Sequence, residues 1–173
     1  TGRIIDDGDI YVKEVSGQVP LLSVQNLNAQ GRFKDISFSL YPGEILGFTG
    51  LLGSGRNELA HALFGLDPAD EGTVRMGDQE VKIASVQGAL DNGIALVPED
   101  RLTQGLLLEQ TISNNINICT IDSLANNRRF VEQGRAEAQV NKWVEELKIK
   151  VASPQNAVKS LSGGNQQRVV IAK

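Results

Sequence analysis

Cysteine is nearly absent from this sequence. Cys119 is the single cysteine among 173 residues, so no disulfide can form within the chain. This usage is consistent with a reducing compartment. In the stretch NINICTI, Cys119 alternates with isoleucines at 116, 118 and 121. The pattern predicts a buried structural thiol in preference to a reactive one.

Long apolar runs and basic runs are also absent. Runs such as GLLL and VVIA are far shorter than the ~20 residues that a membrane span requires. The densest basic spot, NNRRF at 126–130, contains two arginines, and the net charge of the chain is −4. The sequence therefore argues against a nucleic-acid partner, because nothing in it could neutralise a row of phosphates.

The beginning of the chain lacks methionine and does not resemble a signal peptide. Residues 1–20 are polar and irregular, with the acidic stretch IDDGD and a proline at position 20. They predict a linker, and we expect the chain to be part of something longer.

What the sequence does contain is an ordinary globular composition, 40% apolar and 22% charged. Period-2 patterning predicts strands at 21–27 and 36–40, and short apolar runs predict buried parallel strands at 45–50 and 94–97. The other predicted elements are a YPGE turn after residue 40, a hairpin at 71–83 with Gly77-Asp78 at its tip, a helix from Gly55 to Gly65, a helix at 85–93, and a helix at 137–148 with Val140, Trp143, Val144 and Leu147 on one face. This order predicts an α/β domain with an antiparallel side sheet, and from about residue 110 a helical subdomain.

The stretch TGLLGSGRNEL, at 49–59, lies between a predicted strand and a predicted helix. Gly50 and Gly55 have the spacing of a phosphate loop, G-x-x-x-x-G-K-[ST], in which backbone N–H groups and a helix N-terminus bind phosphate. Arg56 stands where Lys should be, and Asn57 where Ser or Thr should be. Since this exchange is not conservative, the residues alone leave a phosphate loop and a structural turn both open. A dinucleotide loop does not fit, because GLLGSG does not match G-x-G-x-x-G.

A second anion-binding pattern is LSGGNQQ, at 161–167. A serine and two glycines start a predicted helix, so the hydroxyl and the adjacent N–H groups can contact a γ-phosphate. SGG alone is common in loops. The flanking Leu161, Gln166 and Gln167, and the phosphate-loop-like turn about 110 residues upstream, make the pattern specific.

With these motifs the sequence resembles the ABC transporter ATPases, whose signature motif is LSGGQ. GEILGFTGLLGSGRNELAHALFG (43–65), GIALVPEDR (93–101) and LSGGNQQ together are similar to the second ATPase half of the tandem subunits that power bacterial uptake of ribose, galactose, xylose and arabinose. TGR at the start resembles the end of the first half, and 4–20 the linker between halves. The resemblance covers nearly all of the chain and implies a P-loop NTPase core of the ABC ATPase type.

The resemblance implies roles for individual residues. The Walker A loop, which binds the ATP phosphates, corresponds to Gly50, Leu51, Leu52, Gly53, Ser54, Gly55, Arg56 and Asn57. In this family the second half characteristically has Arg at the Lys position, so nucleotide binding is expected with poor hydrolysis. Glu99 takes the position of the Q-loop Gln, and Asn57 and Glu99 are the candidate Mg²⁺ contacts. Ser162, Gly163 and Gly164 correspond to the signature, which acts in trans on the ATP of a partner half.

The implied domain organisation has four parts: a linker at 1–20, the α/β core with its β subdomain at 21–100, a helical subdomain at 101–160, and the signature with its helix at 161–173. In the family the Walker B strand, the catalytic Glu, the D-loop and the switch His follow the signature. We therefore expect a fold that is incomplete at its C-terminus and a chain that by itself hydrolyses nothing. Phe33 is the nearest upstream aromatic residue, on a short connection that does not favour adenine stacking, and His61 is expected to pack.

The resemblance further implies ATP and Mg²⁺ as cofactors and the first ATPase half of the same polypeptide as a partner. Membrane permease subunits would dock near residues 100–125, beside an exposed GLLL, and a sugar-binding protein would take part indirectly. The location implied is peripheral, at the cytoplasmic face of the inner membrane. Two alternatives remain: a regulatory nucleotide-binding module without turnover, and a non-transport ABC ATPase of DNA repair or translation, which the acidic balance disfavours.

Overall fold

The computed structural model describes residues 18–173, so the predicted linker up to residue 17 and its TGR start lie outside the described residues. The chain divides into two compact units between Leu96 and Val97. The four-part domain organisation stays a prediction.

The first unit contains a four-stranded antiparallel sheet in the order β2-β1-β3-β4. Its strands are β1 (Leu22–Ala29), β2 (Phe33–Leu40), β3 (Glu71–Met76) and β4 (Gln79–Val81). The strands predicted at 21–27 and 36–40 and the 71–83 hairpin are therefore confirmed. Gly77 has φ 57° at the hairpin tip, where a two-residue turn requires a positive φ.

A bulge in β1 explains how this strand buries two residues three positions apart. The pairing of β1 with β2 shifts between Val24 and Leu27, and Asn26 has φ 48°. The extra residue turns both Val24 and Leu27 inward, where they are 1% and 3% exposed. They form the core of this unit with Leu59 and Val74.

The first unit also contains two short helices. Helix α1 spans Arg56–Leu63 and buries Leu59, and α2 spans Val86–Asp91 with Ser85 as its N-cap. Gly65 ends the first helix with φ 72°, and a Cβ at this position would lie 2.4 Å from the backbone carbonyl of Ser85. The helix and its glycine terminator predicted over 55–65 are confirmed, as is the helix within 85–93.

The parallel strands predicted at 45–50 and 94–97 are wrong. Both segments are irregular, and Ile45 is 98% exposed instead of buried. Their apolar runs are compatible with strands, but within residues 18–173 no strand is hydrogen-bonded to either segment. Phe48 makes a local contact instead, with its ring edge-on to Phe38 at a centroid distance of 5.1 Å.

The second unit is helical. Its helices are α3 (Ile112–Asn117), α4 (Ile121–Leu124), α5 (Gln133–Glu146) and α6 (Gly163–Ala172). A π-helical turn (Arg101–Gly105) precedes them, and 3₁₀ turns lie between them at Ile118–Thr120 and Val158–Ser160. Its core includes Ile112, Ile116, Val140, Val158 and Val169. Trp143, Val144 and Leu147 pack against this core, which confirms the predicted apolar face of α5.

Two burial predictions in this unit are wrong. Cys119 is exposed, because NINICTI is helical and a period-2 alternation does not define its inner face. The GLLL stretch at 105–108 is mostly not exposed: Leu106 is 6% exposed and Leu108 packs against the core, whereas Leu107 is 45% exposed.

Candidate functional site

The loop 50–57 is curled and leads directly into α1. The N–H of Ser54 donates to the carbonyl of Leu51 at 3.1 Å, and a Cβ added to Gly50 would lie 2.5 Å from Ser54 Oγ. Gly53 and Gly55 have φ 77° and 86°, so both residues adopt the left-handed backbone conformation that glycine tolerates best. Residues 51–54 of this loop are exposed, and the N-terminus of an eight-residue helix follows it. This is the geometry that binds phosphate.

Gly55 is held close to the β1–β2 turn. It is buried, and a Cβ there would lie 2.7 Å from the carbonyl oxygen of Arg32. Arg32 is fixed in turn by a 2.7 Å ion pair with Asp67 and a 3.0 Å hydrogen bond from Nη2 to the carbonyl of Pro68. Sequence reasoning missed Arg32, because its contacts are with residues more than thirty positions away.

The two exchanged residues of the loop are both exposed. Arg56 Nε donates to Ser54 Oγ at 3.2 Å, so the guanidinium bonds to its own loop. The neighbouring aromatic Phe33 packs half-buried against the core of the first unit. His61 is half-buried on α1.

The segment around Glu99 lies at the start of the second unit. Glu99 is exposed, and the next residue, Asp100, caps the π-helical turn. The Asp100 carboxylate accepts from the Thr103 hydroxyl at 2.7 Å, the Leu102 N–H at 2.9 Å and the Thr103 N–H at 3.3 Å. These bonds, that from the Thr103 hydroxyl most of all, lower the pKa of Asp100.

The signature residues meet at the start of α6. Ser162 is the N-cap, and Ser162, Gly163 and Gly164 are exposed. Ser162 makes no capping bond with its own side chain, so Ser162 Oγ instead accepts from Asn165 Nδ2 at 3.1 Å. The first turn of α6 therefore presents a hydroxyl and backbone N–H groups to solvent, which is the arrangement an anion requires.

Asn165 is a second residue whose role the sequence did not give. Its side-chain carbonyl accepts from the N–H of Lys150 at 3.0 Å, so one amide joins the signature to the segment that follows α5. The motif offered a weak signal, since Asn165 stands where LSGGQ has Gln.

Over 18–173, no cluster of three or more His, Cys, Asp or Glu side chains could hold a metal ion. Within the same range no helix has both the length and the apolar character that crossing a bilayer needs. Asn57 and Glu99 do carry the hard oxygen donors that suit Mg²⁺ shared with phosphates.

Comparison with known proteins gives consistent matches. The profile of the ABC transporter family matches residues 33–173. The chain is 37% identical over 172 residues to the ribose import ATP-binding protein RbsA of Clostridium tetani, covering 99% of the chain and 34% of that relative. It is 39% identical over 176 residues to a putative ribose/galactose/methyl galactoside import ATP-binding protein of Rhizobium etli, covering 99% of the chain and 32% of that relative. The chain thus spans about a third of the length of these relatives.

Two solved structures share the fold. CbiO1 of Clostridium perfringens, part of an ABC transporter complex, superposes with a TM-score of 0.69 at 18% identity, over 90% of the chain and 61% of that protein. The ADP conformation of MJ1267, an ATP-binding cassette, gives a TM-score of 0.70 at 24% identity, over 88% and 63% respectively. The fold class predicted from the sequence is thereby confirmed.

Proposed function

The chain belongs to the ABC transporter family, and on that premise we propose that it is an ATP-binding half of an ATPase that energises sugar import. The observation that carries this proposal is the N-terminus of α6, where Ser162, Gly163 and Gly164 are exposed. The printed names of the relatives, which are import ATP-binding proteins for ribose and related sugars, support the class of cargo.

The loop 50–57 binds nucleotide and contributes little to its hydrolysis. Its glycine curl and the N-terminus of α1 suit the phosphates. Arg56 retains a positive charge in this loop, but the planar guanidinium is not equivalent to the compact ammonium of a lysine. Its bond to Ser54 Oγ directs Nε toward the loop itself.

The signature acts on a partner's ATP. In this proposal the first ATPase half places its own Walker A loop opposite α6, and Ser162, Gly163 and Gly164 contact the γ-phosphate in trans. Their contribution is positional and electrostatic: fixed N–H groups and a hydroxyl stabilise charge that develops on the transferred phosphoryl group. No proton transfer is required of them.

Mg²⁺ is proposed as the accompanying ion. Asn57 supplies a neutral amide oxygen and Glu99 a carboxylate, and both side chains are exposed. When bound with nucleotide, the ion neutralises charge on the β- and γ-phosphates. Glu99 also carries a negative charge, which the usual Gln of the Q-loop lacks. Because this charge would lie close to the phosphates, Glu99 is not equivalent to that Gln.

The proposed partners are the first ATPase half and the permease subunits at the cytoplasmic face of the inner membrane, with a sugar-binding protein taking part indirectly. The second unit offers a groove for the permease. We call it the apolar groove after one part of its lining, Leu107, Ile118, Ile121, Leu124 and Val131; the rest of the lining is mostly polar. Ile118 and Ile121 are 41% and 47% exposed, so both present apolar surface to solvent.

Substitution of Ser162 tests this function. In the transporter assembled with its permease, Ser162→Arg places a long cation where the γ-phosphate contact is proposed, and we expect ATP hydrolysis to fall at least tenfold, by about 1.4 kcal/mol or more of transition-state stabilisation. Gln79→Arg is the matched control, since it makes the same charge change at an exposed position of β4. Near-normal hydrolysis in Ser162→Arg would favour a regulatory module, and failure to copurify with a permease would favour a non-transport ATPase.

A further inference from the structure

The guanidinium of Arg101 lies against the first turn of the signature helix. A Cβ added to Gly163 would lie 2.9 Å from Arg101 Nη2 and 3.7 Å from Arg101 Cζ. Arg101 Nε is buried and has no hydrogen-bond partner among the residues that the structure describes. The guanidinium therefore lies beside Gly163, on the side where a Cβ would project, and the glycine is what allows this close approach.

The turn that carries Arg101 is fixed at its beginning. Arg101 is the first residue of the π-helical turn, and Asp100 closes that turn by accepting from Leu102 and from both the N–H and the hydroxyl of Thr103. Glu99 directly precedes this cap. Glu99, which is proposed to contact Mg²⁺, is therefore followed directly by the hydrogen-bonded turn that carries Arg101.

The far end of the same turn is fixed to the other end of α6. A Cβ at Gly105 would lie 3.0 Å from Val170 Cγ2, so the Val170 side chain packs directly against the backbone of Gly105. Lys173 Nζ donates to the carbonyl of Gly105 at 3.1 Å. The turn thus contacts α6 near its first residue, through Arg101, and near its last, through Gly105.

From these contacts we propose that Arg101 is a positioning residue, which holds the start of α6 in place and couples it to the segment of Glu99. The inference rests on the proposed function of the signature in trans. A movement of Glu99 would be carried by the turn, which is closed by Asp100, to Gly163 and the exposed N–H groups behind it. Arg suits this role because its planar guanidinium can pack flat against a glycine, which the compact ammonium of Lys cannot do.

Two readouts test the proposal. The first is amide hydrogen exchange at residues 166–168 in the complete subunit, which are the first amides of α6 with a hydrogen bond inside the helix and therefore report the hold on its first turn without requiring activity. The second is ATP hydrolysis by the assembled transporter. We expect Arg101→Ala to accelerate exchange at 166–168 and to lower kcat about tenfold, while KM for ATP stays within about twofold. Arg101→Lys should restore part of both effects.

The control is Arg128→Ala, which removes an exposed arginine elsewhere in the unit and should change neither readout. If Arg101→Ala unfolds the subunit, Gly163→Ala provides a second route, since the new Cβ displaces the guanidinium. It should accelerate exchange at 166–168 in the parent and add less in the Arg101→Lys background, where no guanidinium remains to be displaced.

The outcomes separate this inference from the function on which it rests. Unchanged exchange at 166–168 in Arg101→Ala overturns the positioning role. So does faster exchange with an unaltered kcat, provided that Ser162→Arg abolishes hydrolysis in the same assay. If Ser162→Arg leaves hydrolysis intact, the trans function has failed, whereas faster exchange in Arg101→Ala would still support the hold of Arg101 on α6.

Discussion

Asn165 and Ser162 form a hydrogen-bonded pair across the first turn of α6, with Nδ2 of the amide 3.1 Å from the hydroxyl oxygen. The same amide accepts from the N–H of Lys150. Because the Ser162 hydroxyl oxygen accepts this bond, its own hydrogen remains available to donate to another group.

Replacing Asn165 should loosen the signature. Asn165→Ala removes these two bonds and a third, which the side-chain carbonyl accepts from Arg168 Nη1 at 3.3 Å. We therefore expect the complete subunit to lose about 1 kcal/mol of stability and ATP hydrolysis to fall several-fold. Thermal unfolding and steady-state hydrolysis measure the two effects. Asn114→Ala is the control, because Asn114 is also exposed and its amide bonds to Gln110. Equal effects in both variants would count against a specific role for Asn165.

Asn115 should be far more costly to replace than its neighbour. It is fully buried, accepts from the Leu107 N–H at 2.8 Å, and donates to the carbonyls of Leu107 and Thr111 at 3.0 Å each. Asn115→Leu leaves the Leu107 N–H without this partner and removes one of the two bonds that each carbonyl accepts, so we expect a loss of about 1–3 kcal/mol. Chemical denaturation of the complete subunit checks this. Asn114→Leu, at an exposed position, should cost well under 1 kcal/mol, and similar losses would refute the argument.

The elements that could be read from the sequence are those encoded locally. The Gly77-Asp78 turn between alternating residues gave the hairpin, and the spacing of Val140, Trp143 and Leu147 gave α5. The motif LSGGNQQ placed the start of α6 correctly. In each case the signal lies within a few residues of the element that it predicts.

What could not be read depends on distant partners. Residues 45–50 have the composition of a strand, but a strand also needs a hydrogen-bonded neighbour, which composition does not supply. Gly163 gave no sign that Arg101, sixty-two positions away, would lie on it. Cys119 was assigned to the core from an alternation that has no meaning in a helical segment.

The Thr103 hydroxyl should control the ionisation of Asp100. It is the largest of the causes that hold the pKa of this carboxyl below its ordinary value of 3.8. A depressed folded-state pKa means that ionisation stabilises the turn above the ordinary value, and that this stabilisation is lost as the pH falls through the folded-state value. In Thr103→Val we expect the pKa to rise, as followed by NMR titration of the carboxyl carbon. Thr103→Ser keeps the hydroxyl and should leave the pKa low; the same rise in both variants would exclude the hydroxyl as the cause.

The apolar groove should bind the permease through Ile121. A carboxylate introduced there by Ile121→Asp would have to be desolvated on docking, so we expect the permease to be lost on copurification while nucleotide binding stays unchanged. Leu90→Asp is the matched control, since Leu90 is 45% exposed on α2 of the other unit. Retention of the permease by Ile121→Asp would rule out this groove as the docking surface.

Arg56 should matter more for holding nucleotide than for turnover. Its charge lies in the loop 50–57, whereas hydrolysis is proposed to take place at the partner's Walker A loop opposite Ser162. Removal of a charge-assisted contact costs roughly 1.5–3 kcal/mol, so Arg56→Ala should weaken nucleotide binding to this loop at least tenfold. Turnover should change by less than about threefold, because the reacting phosphate is held elsewhere. Equilibrium binding of a nucleotide analogue and steady-state hydrolysis measure the two quantities in the same preparation, with Lys34→Ala, an exposed cation on β2, as the control. A parallel loss of binding and turnover would mean that the loop 50–57 is itself a hydrolytic site, and the asymmetry between loop and signature would have to be abandoned.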